Sequence, residues 1–261
     1  MNMRQTKEIG FESQSFGRRL GSMLGVDSRR MFGTSLFYIM LGIAFVMPIL
    51  VLVMTSGFGG AEGLMFTNTW QIIGSESSAG MMAMDATAMM NINLMYFMAG
   101  IFICLFISQD FSSGYAKNLF TVRARKGDYV ASKTLMGFLA GALFLIAFFI
   151  GAVLGGSFAG LSFDLGSAGV SGLVMCMLAK IFLMAVFAAI FVLMSVFGKQ
   201  RAWLSVCLSL FGGMLMFMMI PMMTPLDSGV MNVGMCLAGG AIFAVAIGAV
   251  SNMVLKKTNL V

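Results

Sequence analysis

The chain has no histidine, and only 10% of its 261 residues are charged. The first absence removes the commonest general base and metal ligand. The second excludes an ordinary soluble domain, in which about a quarter of residues carry charge. Proline is also scarce, at three residues, so little interrupts the apolar runs. The four cysteines, Cys104, Cys176, Cys207 and Cys236, all fall inside such runs. There they behave as small hydrophobes, and neither a disulfide framework nor a metal site is expected. The glycine-rich GFGGAEG at 57–63 has no lysine in the GK[ST] position, so it is not a phosphate loop.

What the chain does have is apolar length. Mean hydropathy is +0.96. Six runs read as membrane-crossing helices: Thr34–Thr55, Met90–Ser108, Thr134–Gly156, Gly172–Phe197, Trp203–Met223 and Gly234–Leu255. A helix of about 20 residues covers the roughly 30 Å hydrocarbon core. No ten-residue dyad alternation of a membrane barrel is present. The expected fold is therefore an all-α polytopic membrane protein. A leader occupies 1–32, a six-helix domain 33–257 and a short tail 258–261.

Charge sets the sides. Basic residues cluster in the leader (Arg4, Lys7, Arg18, Arg19, Arg29, Arg30) and in the loop after the second run (Lys117, Arg123, Arg125, Lys126, Lys133). The turn after the fourth run adds Lys199 and Arg201, and the tail adds Lys256 and Lys257. Fifteen of the sixteen cations thus fall on one side, while the other loops carry only Glu62, Glu76, Asp85, Asp164 and Asp227. The positive-inside rule then makes both termini cytoplasmic in a multi-pass membrane protein. The net charge of +6 is a topology signal. Nucleic acid is not an expected partner, because no folded basic domain is available, whereas anionic lipid is.

In the leader, Phe16, Leu20, Met23 and Leu24 recur at helical spacing, which predicts a short helix on the membrane interface. The first run late in the chain argues against a cleaved signal. Asp27 is expected to cap a helix starting near Ser28 and to pair locally with Arg29 or Arg30. The loop at 56–89, with Trp70, reads as an outer cap, an interfacial segment or an extension of the second run. Gly137 with Gly141, and Gly151 with Gly155, permit close helix approach, either within the chain or to a second copy. Pro48 and Pro221 are expected to kink the first and fifth runs.

Lys180 is the one charge well inside a run, about 12 Å from its outer end. It is a candidate for the substrate path. Either it lines a water-filled route, or it snorkels or pairs structurally.

The loop DFSSGYAKNLFTVRARKG, 110–127, is the compact basic segment between the second and third runs. Residues Tyr115 to Arg125 have the pattern of a short helix with Tyr115, Leu119 and Val122 on one face, ended by Gly127 and Asp128. It is either a basic connector that fixes topology or a lever that docks into a soluble partner.

This loop resembles one in the permease subunits of the type-2 ABC transporter family. The residues that carry the resemblance are Asp110, Gly114, Lys117, Asn118, Leu119, Arg123, Arg125, Tyr129, Ser132 and Lys133, together with the leader DSRRMFGTSLFYI at 27–39. The resemblance implies a permease subunit of an exporter, not itself an enzyme, that binds no cofactor. ATP and Mg would sit on partner ATPase subunits, and a second permease copy or a related permease would complete twelve spans. It also implies a coupling helix seated on the ATPase, formed by Asp110, Ser113, Gly114, Tyr115, Lys117, Asn118, Leu119, Val122, Arg123 and Arg125. The last outer loop, at 224–233, is short, unlike that of relatives exporting lipids, glycans or sterols. The cargo expected is amphipathic peptides, toxins or antimicrobial compounds. The alternatives are a secondary transporter or an accessory membrane protein that transports nothing.

Overall fold

The computed structural model describes residues 15–57, 66–74, 90–121, 125–166, 168–198, 201–217 and 219–257. Among them the protein is all-α. In chain order the helices are α1 (Phe16–Gly33), α2 (Ser35–Gly57), α3 (Leu94–Ser112), α4 (Tyr115–Thr121), α5 (Lys126–Ala159), α6 (Gly169–Gly198), α7 (Ala202–Phe217), α8 (Met219–Met223) and α9 (Val230–Lys257). Apolar runs fold this way because hydrocarbon offers no partner for a free backbone group, and a helix bonds all of its own.

Five helices, α2, α3, α5, α6 and α9, are long and apolar enough to cross a membrane. The sixth expected crossing is the exception. α7 is described over 16 residues, about 24 Å at helical rise, against a hydrocarbon core of about 30 Å. The five-residue α8, containing Pro221, follows it after residue 218. Residue 218, between them, lies outside the described residues.

α3 is the most enclosed span, with 67% of its apolar window buried, and α9 the least, with 11%. α5 and α6 pack on each other and on α3, and α7 closes against α3 and α6. α2 lies along α5, and α9 lies along α6 on the outside of the bundle. The glycine pairs explain the first of these contacts. A Cβ on Gly155 would stand 2.8 Å from Ile49 Cα, and one on Gly151 would meet the Phe45 carbonyl oxygen and Pro48. Gly137 and Gly141 instead face Ile103 of α3 and Met184 of α6. All four approaches are within the chain.

Asp27 does not cap a helix. α1 runs unbroken through it to Gly33, and the chain bends at Thr34, whose extended backbone (φ −94°, ψ 123°) separates α1 from α2. Gly127 and Asp128 do not stop a helix either, since both lie in the first turn of α5.

At the opposite end, the described part of the loop after α2 folds back as a cap. Asn68 pairs with Ser162, the Thr69 N–H donates to the Ser162 carbonyl at 3.0 Å, and Asn68 Nδ2 donates to the Asp164 carbonyl. Trp70 then lies against Phe149 and Phe163, at ring-centroid distances of 6.1 and 5.6 Å. Ile72 and Ile73 are fully buried beneath it.

Candidate functional site

Charged residues gather where α1, α3 and α5 meet. Positions 129, 132 and 133 share one helical face, one turn into α5. From that face the Lys133 ammonium donates to Asp27 Oδ1 at 2.8 Å and lies 2.7 Å from Asp110 Oδ2. Ser132 Oγ donates to Asp27 Oδ2 at 2.6 Å, and the Tyr129 hydroxyl donates to Asp110 Oδ2 at 3.0 Å. Arg30, on α1, completes the group 2.6 Å from Asp110 Oδ1 and 3.8 Å from Asp27 Oδ1. Asp27, Asp110 and Lys133 are buried and Arg30 is half-buried beside them, so the group carries no net charge, the condition under which buried ions are tolerated.

Aromatic rings floor the cluster. Lys133 Nζ is 4.2 Å from the centroid of Phe106, and the Arg30 guanidinium is 4.1 Å from that of Tyr115. These are cation–π distances. Burial works against the Arg30 charge, but the hydrogen bond and the charge of Asp110 more than offset it, and the Arg30 pKa rises. Burial, followed by the charge of Asp27, pushes the Tyr115 phenol up. A second ion pair, Arg19 to Asp128 at 2.8 Å, fixes α1 on α5 farther along.

α4 hangs from this cluster. Gly114, with φ +74°, makes the turn that L side chains rarely adopt. α4 then turns Tyr115, Ala116, Leu119 and Phe120 toward the bundle, with Ala116 fully buried and Leu119 and Phe120 packed on the core. Phe120 meets Tyr129 edge-on at 5.3 Å. The apolar face expected to dock elsewhere, carried by Tyr115 and Leu119, is therefore turned onto the chain itself. Ser112, Ser113, Lys117, Asn118 and Thr121 are the exposed residues, as is Arg125 beyond the helix. Val122 and Arg123 lie outside the described residues. Asp110, expected as part of a docking surface, is fully buried.

The same end of the bundle carries the exposed cations Arg18, Arg29, Lys117, Arg125, Arg201, Lys256 and Lys257. Lys126 Nζ donates to the Leu255 carbonyl at 2.6 Å, tying the end of α9 to the start of α5. No group of acids or cysteines among the described residues suits a metal ion.

Lys180 is far from this cluster, on α6, and is 1% exposed. It does not reach the surface. Its Nζ donates to Asn93 Oδ1 and to Thr224 Oγ1, each at 2.9 Å.

Sequence reasoning missed Asp27 and Lys133 as partners, and read Arg30 as a local one. A signal was present: Asp27 and Asp110 are acids in segments otherwise rich in cations, each next to an apolar run, where they serve no topological purpose.

Five membrane-length helices, a short helix between the second and third of them and a charged joint beneath it describe a multi-pass membrane protein. The model of the ABC-2 family transporter proteins matches residues 33–216, well over half of the chain. The chain belongs to this family. Membership makes it a membrane permease component of the ABC transporter type, a family that implies partnership with an ABC ATPase. No curated protein and no solved structure matches it.

Proposed function

We propose that the chain is the permease subunit of an ATP-driven exporter in a bacterial plasma membrane. The charged end of the bundle and both termini face the cytoplasm, where basic loops are retained. α7 continued by α8 serves as the fifth of six crossings. α4 is the coupling helix, presenting Ser113, Lys117, Asn118 and Thr121 to a groove of a separate ATPase subunit, which binds ATP and Mg. A second permease copy or a related permease completes twelve spans. The cargo is an amphipathic peptide, toxin or antimicrobial compound, in keeping with the short turn between α8 and α9.

The observation that supports this reading is the four-charge cluster beside α4, in which Asp27, Asp110 and Lys133 are buried and Arg30 is half-buried. A short helix on a flexible loop absorbs a push. A helix lying under Arg30 and against Tyr129 passes it to α1, α3 and α5 together, since those helices share one joint.

The test is co-expression with ABC ATPases from the same genome, followed by capture of the permease. Lys117→Glu with Thr121→Glu alters only exposed side chains. It is expected to abolish ATPase capture while leaving the unfolding temperature unchanged. ATPase bound as before would sink the docking assignment.

A further inference from the structure

The two buried lysines are held in opposite ways. Lys133 lies between two carboxylates. Lys180 is as deeply buried, yet among the described residues no acid pairs with it. Its partners are the neutral oxygens of Asn93 and Thr224. Asn93 precedes α3, and Thr224 follows α8. One ammonium therefore joins three segments at the end of the bundle away from the charged joint.

Its surroundings are knitted to it. The Tyr96 hydroxyl donates to the Lys180 carbonyl at 2.8 Å, and Thr224 Oγ1 donates to the Ile220 carbonyl at 2.7 Å. Cys176, one turn from Lys180 on α6, directs its thiol to the Thr224 carbonyl at 3.5 Å. A Cβ on Gly74, from the cap, would stand 3.6 Å from Leu226 N and 3.7 Å from Cys176 Sγ. Opening this end would expose Cys176.

The energetics run two ways. The hydrogen bonds define the closed arrangement. The ammonium, however, has given up its hydration without gaining a counter-charge among the described residues, so water is a better environment for it than the closed bundle. A carboxylate-paired cation has no such preference, because separating the pair costs its mutual attraction. We propose that Lys180 poises an outer gate: its bonds to Asn93 and Thr224 set the closed geometry, and its unpaired charge drives the gate open once those bonds are strained. The proposal rests on the transport reading and assigns Lys180 to gating. Contact with cargo is not required.

The test uses the purified full chain in nanodiscs with a water-soluble maleimide, which reaches both faces, and maps the label by mass spectrometry. Wild-type Cys176 is expected to react slowly. Thr224→Val strands the ammonium with one partner fewer and is expected to speed Cys176 labelling by about tenfold, the factor carried by one hydrogen bond to a charged group. Lys180→Met removes the charge and is expected to hold labelling at or below the wild-type rate. The double variant is expected to follow Lys180→Met. Cys104, buried between α3, α6 and α7, should stay protected throughout.

A brace that merely holds the helices together would behave differently, since Lys180→Met would then speed labelling as Thr224→Val does. That result overturns the proposal. So does a Cys176 rate that no variant changes, or one that rises in step with Cys104. The assay contains neither ATPase nor cargo, so its failure is separate from failure of the transport assignment.

Discussion

Lys133 Nζ and Asp110 Oδ2 stand 2.7 Å apart, and neither side chain reaches solvent. The pair joins the last turn of α3 to the second turn of α5, and α4 is the segment strung between those turns. Asp27 and Arg30 extend the same contact to α1.

Removing one member of such a cluster leaves a buried charge without its partner. Lys133→Met is expected to cost about 3–5 kcal/mol, read as a fall in unfolding free energy in detergent. Asp110→Asn should cost less in the Lys133→Met background than alone, because the two acids then no longer repel across an empty position. Additive losses would mean that the two side chains are not energetically coupled.

Asp27→Asn keeps an acceptor for Ser132 but removes the negative charge facing Lys133. The variant is expected to loosen α1 in particular. Amide hydrogen exchange over Leu20–Met31 should accelerate while α5 and α6 keep their protection. Unchanged exchange in α1 would show that Arg19–Asp128 and apolar packing hold it unaided.

Glycines on two faces of α2 and α5 offer a matched pair. Gly155→Leu drives a side chain into the backbone of Ile49 and is expected to destabilise by about 1–3 kcal/mol or to block folding. Gly42 has nothing within 4 Å of its would-be Cβ. Gly42→Ala is expected to be neutral or to raise stability by about 0.5–1 kcal/mol, through lower chain entropy in the unfolded state. Thermal unfolding in detergent ranks the two, and equal losses would place the α2–α5 contact elsewhere.

Several features were legible before any coordinates. Runs such as 172–197 and 234–255 announced helices because apolar length leaves lipid-buried backbone no alternative. The short helix at Tyr115 was readable from its spacing, though its inward orientation was not: a seven-residue helix with Tyr115 and Leu119 on one face looks alike whether that face meets a partner or its own core.

Composition and order by themselves determined the membrane class, the charge asymmetry and the helical architecture, because these follow from transfer free energy and local hydrogen bonding, which each segment settles alone. Only the tertiary structure decided that Asp27 finds Lys133, 106 positions away, that Gly155 meets Ile49, and that Lys180 is held by neutral partners. Those are choices among many similar donors, acceptors and small residues, and packing makes them by bringing particular helix faces together.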